Sequence, residues 1–228
     1  MTTLGLSFFI VAWFNLFTVT ENRVVGKFDS VSVEGPIQTF LVRNLGDTVR
    51  VVADDNLPRL ISTTVEDGKL VIAPTQAIRH ERVLKVYVSM ETLRSIEVNG
   101  AATLDFTEKM NVDSLEVKLG GGAEARILAE SKDMRVYMND ASNIFLAGKT
   151  TNLYIKLTGV SDIVAYNMIS NNCLLDIDTP PQSPGIFRVT ATDTLRVNMK
   201  KISSRLVQAK GNPVLIRTGT GTGEVKMK

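Results

Sequence analysis

The residues able to do chemistry in this chain are few, and four of them keep a regular spacing. Thr103, Glu124, Asn143 and Asp162 follow one another at intervals of 21, 19 and 19 residues. Glu124 and Asp162 are the two acids of that set, and hydrolysis of a glycosidic bond needs two carboxyl groups flanking the cleaved bond. If one interval is one coil of a stack, the acids lie two coils apart, about 9.6 Å at the usual strand spacing. That is marginal for an inverting pair, and no third group is visible to raise one pKa. The Glu124–Asn143–Asp162 ladder could also hold a cation. The simpler expectation is a solvated polar ladder along a sheet edge, with Asp105 and Arg126 as a ladder ion pair of little worth.

Other constellations are weaker. A single cysteine, Cys173, excludes an internal disulfide, and its place in an apolar alternation predicts a buried, inert thiol. The single histidine, His80, falls in a charged loop where a solvated role is expected. One histidine and one buried thiol leave no nucleophile–base pair. Asp54-Asp-Asn-Leu-Pro58 is acidic, but it lacks the remaining ligands of a calcium loop and reads as a solvated turn. Gly120-Gly-Gly122 is followed by no helix and no Lys-Ser/Thr, so a nucleotide loop is a poor reading. The sequence therefore assigns no catalytic, cofactor-binding or metal-ligating residue, leaves the binding residues open, and does not support an enzyme.

The elements that would position the ladder repeat from Leu93 to Ala165. Val98-Asn-Gly-Ala-Ala-Thr-Leu104, Leu119-Gly-Gly-Gly-Ala-Glu-Ala125, Met138-Asn-Asp-Ala-Ser-Asn-Ile144 and Leu157-Thr-Gly-Val-Ser-Asp-Ile163 are four copies of one corner. Such self-similarity marks a stacked repeat. Alternating segments lead into the corners: Leu115-Glu-Val-Lys-Leu119, Met134-Arg-Val-Tyr-Met138 and Leu153-Tyr-Ile-Lys-Leu157. A period of two with β-branched and aromatic residues means strand, with Leu115, Val117, Leu119 and their equivalents inward. A second short apolar segment follows each corner, and polar turns such as Glu130-Ser-Lys-Asp and Gly148-Lys-Thr-Thr-Asn close the period. Coils of about 19–22 residues with two or three short strands fit an all-β chain folded as a parallel β-helix, a solenoid. Gly100, Gly121, Asp140 and Gly159 share one corner column, where positive φ is expected. The small residues beside them (Ala101, Gly122, Ala141, Val160 and Ala102, Ala123, Ser142, Ser161) let corners stack.

These corners resemble the bacterial auto-transporter adhesin, head GIN domain family. Phe28-Asp-Ser-Val-Ser-Val-Glu-Gly35 looks like the family's opening strand, and Lys210-Gly-Asn-Pro213 with Gly219-Thr-Gly-Thr-Gly223 looks like its closing turn. The resemblance runs over residues 28–225. It implies a right-handed β-helix in an exported bacterial protein and implies no defined activity. The fifth and sixth coils depart from it by losing the small-residue corners.

The rest of the chain fits one domain. Its 228 residues are 44% hydrophobic, enough for a sizeable core, and carry a net charge of +2 with both signs scattered. Without a basic cluster interleaved with aromatics, nucleic acid is not an expected partner. Aromatic residues at 6% also argue against an aromatic sugar-stacking platform. Residues 4–19 form an apolar run that suits a signal-peptide core, so residues 1–20 are expected to be a signal peptide or an uncleaved membrane anchor. The only membrane contact expected is through 4–19.

Residues 24–228 are expected to form one β-helical domain. Within it, 24–90 are irregular strands, including an Asp67-Gly68 hairpin, that cover the N-terminal end. Residues 93–165 are the regular coils, and 171–228 are degenerate coils with a Pro-rich loop at 178–185 and a C-terminal cap from Pro213. The expected role is a non-enzymatic, adhesin-like binding or structural module at the periplasm, outer membrane or cell surface. Its expected partner is a surface glycan or an envelope protein, and no cofactor is called for. The alternatives are a carbohydrate-active β-helix enzyme, or a polymerising scaffold that Lys200-Lys201 and the Gly/Thr-rich tail would oppose.

Overall fold

The computed structural model describes residues 18–46, 48–54, 56–78, 83–89, 93–180, 186–200 and 206–228. The segment 1–17, Asp55, His80, the tip 181–185 of the Pro-rich loop and Lys201 lie outside the described residues. Among the described residues eighteen strands follow in chain order. The first seven are β1 (Thr18–Val24), β2 (Ser30–Glu34), β3 (Gln38–Val42), β4 (Thr48–Asp54), β5 (Ile61–Glu66), β6 (Lys69–Pro74) and β7 (Leu84–Ser89). Then come β8 (Ser95–Asn99), β9 (Thr103–Phe106), β10 (Met110–Asn111), β11 (Ser114–Leu119), β12 (Glu124–Met138), β13 (Asn143–Leu157) and β14 (Asp162–Asp178). The chain finishes with β15 (Ile186–Lys200), β16 (Leu206–Lys210), β17 (Val214–Thr218) and β18 (Glu224–Met227). Pro58–Leu60 form one 3-10 turn, and no helix among the described residues is long and apolar enough to cross a membrane.

These strands wind into a β-solenoid of about 6 turns. Coil partners such as Glu124↔Asn143 lie 19 residues apart, and the offset widens to 22 at Cys173↔Leu195. Each long strand covers two flanks. Residues 124–130 of β12 lie on flank B, residues 133–138 on flank A, and the chain bends between them without leaving the sheet. The polar segments Glu130–Asp133 and Gly148–Asn152, expected as turns, are therefore strand. Their backbone stays paired to the coils on both sides, as in Glu130↔Lys149 and Ser131↔Thr150, while most of their polar side chains face outward. A polar sequence with satisfied backbone needs no turn.

The inward columns are as read from the alternation. Leu70, Val31, Ile96, Val117, Val136, Ile155, Leu175 and Val197 stack as one apolar ladder, each nearly or completely buried. Stacking identical columns at strand spacing buries the apolar face of every coil against the next, which no single coil can do. The ladder ends at Arg217, opposite Val197, where the guanidinium donates to the Gly221 carbonyl at 2.9 Å. A charge in an apolar column stops further stacking.

The N-terminal strands and hairpin cover one end of the solenoid, in an order the sequence does not show. β2 and β3 do not lie at the end of the solenoid. They form a complete coil with Gly35 at its corner, paired in parallel to β8 and β9 on one side and to β6 and β7 on the other. The chain leaves this coil, adds the outer one, and returns over it. The end itself is closed by antiparallel pairs, β5 on β6 through the Asp67-Gly68 hairpin and β1 and β7 on β4. Residues 18–20, assigned with the leader from sequence, are the first rungs of β1. At the other end the expected cap is two further parallel strands, β17 on β15 and β18 on β16.

One ladder position is a misfit. Thr39 is fully buried between Val86 and Leu104, and its Oγ1 has no hydrogen-bond partner. Replacing it with valine keeps the shape and removes an unsatisfied hydroxyl. Thr39→Val is expected to raise stability by about 1 kcal/mol in urea denaturation. A loss of that size would show that the hydroxyl is bonded.

Candidate functional site

The corner opposite the soft bend is built from backbone stacked on backbone. Gly100, Gly121 and Asp140 adopt positive φ, of 71°, 67° and 57°. Asp140 fills the glycine column because its Oδ2 accepts the Gly121 N–H at 3.1 Å. Gly159 departs from the expectation: its φ is outside the left-handed region, and a Cβ there would sit 2.1 Å from the Asp140 carbonyl oxygen. Beside this column Ala102, Ala123, Ser142 and Ser161 are buried. Ser142 Oγ donates to Asn139 O at 3.0 Å and Ser161 Oγ to Asp140 O at 3.1 Å, so small size and a satisfied hydroxyl meet the same need. The adjoining column (Ala101, Gly122, Ala141, Val160) faces solvent.

This corner places Thr103, Glu124, Asn143 and Asp162 in one vertical ladder, as the spacing required. The ladder is tied internally. The Arg126 guanidinium pairs with Glu124 and, at 3.1 Å, with Asp105, and it lies 5.2 Å from the Phe145 ring centroid. The Asp105 hydrogen bond, with Glu124 adding to it, holds the Arg126 pKa above its ordinary value. Asn143 Oδ1 accepts the Asp162 N–H at 3.3 Å. Glu124 is thus committed to a cation on its own strand. Among the described residues no group of three or more His, Cys, Asp or Glu side chains could hold a metal ion.

Cys173 sits inward between Leu153 and Leu195, and burial pushes its thiol up to about 12, well above its ordinary value. Two outcomes follow. A thiol reagent at neutral pH should label the native chain only as fast as it unfolds. Between pH 9 and 11 the unfolded thiol ionises while the buried one stays protonated, so stability falls as pH rises. The fall attributable to this group is about 2 kcal/mol. Equilibrium unfolding of Cys173→Val should lack that component, and identical alkaline slopes in both proteins would refute it.

Three features escaped the sequence. Asp133, Asn152 and Asn172 form an amide ladder at the soft bend, linked by Asn152 Nδ2 to Asp133 Oδ1 at 2.9 Å and Asn172 Nδ2 to Asn152 Oδ1 at 3.1 Å. Their spacing of 19 and 20 residues was the available signal. On flank B the register slips in β14, where the ladder jumps from Ala165↔Val189 to Ile169↔Thr190. A bulge re-aims side chains, and here Tyr166 reaches across to Gln208 at 3.0 Å, under Lys210. It walls an apolar groove of about 220 Å³ with Phe145, Leu128 and Val164. On flank A, Tyr137 and Tyr154 meet edge to face at 5.9 Å beside a polar groove of about 310 Å³.

Known structures share this architecture. A putative adhesin from Bacteroides fragilis aligns with a TM-score of 0.80 at 18% identity, over 93% of this chain and 97% of that one. A putative lipid binding protein from Parabacteroides distasonis aligns at 0.73 and 17% identity, over 94% and 98%. A putative adhesin from the same organism aligns at 0.72 and 19% identity, over 93% and 98%. Among curated proteins none matches the sequence. The profile of one family covers residues 27–213, from the strand entering Gly35 to the turn after β16, and by that match the chain belongs to the family described as putative auto-transporter adhesin, head GIN domain.

Proposed function

We propose that this chain is a non-enzymatic, adhesin-like binding module that acts at the bacterial cell envelope after export. The observation that carries the reading is the fate of the corner acids. Glu124, one half of the carboxylate pair that hydrolysis would need, is held by Arg126 together with Asp105, which weighs against a free acid–base pair at the ladder. Ladder and corner then act as scaffold, and the outer flanks are what the molecule offers a partner. Family membership supports export, with the segment ahead of β1 as the leader or anchor.

The test is a glycan and polysaccharide binding screen of the protein, with release of new reducing ends followed in the same wells. Binding without release is the expected result. Release that disappears in Glu124→Gln or Asp162→Asn would overturn the reading and make the ladder a catalytic site. A second reading, lipid binding, is favoured by the apolar groove beside Phe145 and by the name of the Parabacteroides distasonis protein. Saturable uptake of a fluorescent fatty acid, lost in Phe145→Ser, would support it.

A further inference from the structure

We propose that the groove on flank A is a binding site for acidic oligosaccharides; this rests on the adhesin-like reading and names its ligand. The groove runs along the outer face beside the glycine corner, across the coils that carry Glu97, Lys118, Tyr137 and Lys156, which stack as consecutive rungs of one outward column. The next column toward the corner holds Asn99, Gly120 and Asn139. Gly120 gives Asn99 its place: a Cβ there would lie 2.7 Å from Asn99 Oδ1, so the absent side chain lets the Asn99 carboxamide lie over that rung. Asn99 and Asn139 line the groove beside Tyr137 and Lys156, and it holds about 310 Å³.

The lining has the chemistry of a sugar site. A pyranose offers one face of C–H bonds, which packs on the electron-rich face of an aromatic ring, and a rim of hydroxyls. Tyr137 supplies the ring, half-exposed and braced edge-on by Tyr154, with an interplanar angle of 75°. Around it stand groups for hydroxyls. Glu97 Oε1 accepts from Asn99 Nδ2 at 3.1 Å, and Asn139 Oδ1 accepts from Thr158 Oγ1 at 2.5 Å, which leaves the Asn139 amide protons to donate elsewhere.

The charges decide the kind of sugar. Lys118 is spent on Glu116 at 2.6 Å, and Glu97 on Lys69 at 3.3 Å. Lys156, exposed on the rung after Tyr137, makes no ion pair among the described residues and is the uncommitted cation of the groove. A neutral sugar would leave it unused, whereas a carboxylate one sugar ring along from Tyr137 would meet it. Successive rungs are about 4.8 Å apart, comparable with one sugar residue of a chain, so neighbouring residues of an oligosaccharide fall on neighbouring coils.

The experiment titrates the full chain by calorimetry with tetrasaccharides of galacturonic, glucuronic and mannuronic acid, each paired with its carboxyl-reduced neutral counterpart. At least one acid form should bind more tightly than its neutral partner. Lys156→Gln should weaken the acid form about tenfold, the size of one charge-assisted hydrogen bond, and leave the neutral form unchanged. Tyr137→Leu should weaken both. Both variants should melt with the parent, since neither side chain is in the core. Equal affinity for acid and neutral forms, or no binding to any acid form, overturns the inference. Acid binding that survives both substitutions places the ligand elsewhere on the solenoid, which overturns this site and leaves the adhesin-like reading standing.

Discussion

Ile155→Asp is expected to unfold the repeat region. Ile155 is 1% exposed, with Val136 and Leu175 on the adjoining rungs of the ladder. The substitution removes an aliphatic side chain, at about 2–5 kcal/mol, and adds a carboxylate with no partner, at several kcal/mol more. A domain is stable by only about 5–15 kcal/mol, so the sum approaches the whole. In a solenoid the damage also spreads, because each coil is held by its two neighbours. Circular dichroism should show the variant unfolded at neutral pH, with partial recovery in acid as the carboxyl protonates. A variant that melts with the parent would mean the side chain at 155 faces out and the coil register is wrong.

Gly159→Ala is expected to cost about 3 kcal/mol, the upper end for overpacking. The clash is with backbone: the new Cβ would lie 2.1 Å from Asp140 O and 2.3 Å from Asp140 N. Neither atom can turn aside, so the coils must part at this close approach. Gly122→Ala is the matched control at the same corner. Its Cβ would meet Gly100 O at 3.5 Å, an ordinary contact on a solvent-facing rung, and the change should be within about 0.5 kcal/mol. Equal denaturation midpoints for the two variants would show that the corners do not stack backbone on backbone.

The two substitutions separate what holds the solenoid laterally from what holds it at the corner. The apolar ladders supply the burial, and the corner column sets how closely coils approach. The functional surfaces stand outside both. Tyr137 and Lys156 lie on outward rungs of the strands whose inward rungs are Val136 and Ile155, so the ligand face can vary while the core is kept. The bulge in β14 uses the same freedom on the other flank.

The sequence by itself determined the repeat. Alternation with a period of two assigns every side chain of a regular strand to one face, and a spacing of 19 to 21 residues brings like residues onto one column, so Leu153, Ile155, Leu157, Cys173 and the ladder from Thr103 to Asp162 were legible before any coordinate. Local pattern says nothing of which coil a strand joins when the chain doubles back. Only the tertiary structure placed Ser30–Val42 between two later coils, because parallel pairing on both edges satisfies more backbone than an end position would. It also concentrated a few aromatics. The chain has 4 tyrosines, too few by composition for a sugar platform, yet Tyr137 and Tyr154, 17 positions apart, meet across adjacent coils. A solenoid converts one period of sequence into one strand spacing, and that conversion makes a groove out of residues the chain keeps far apart.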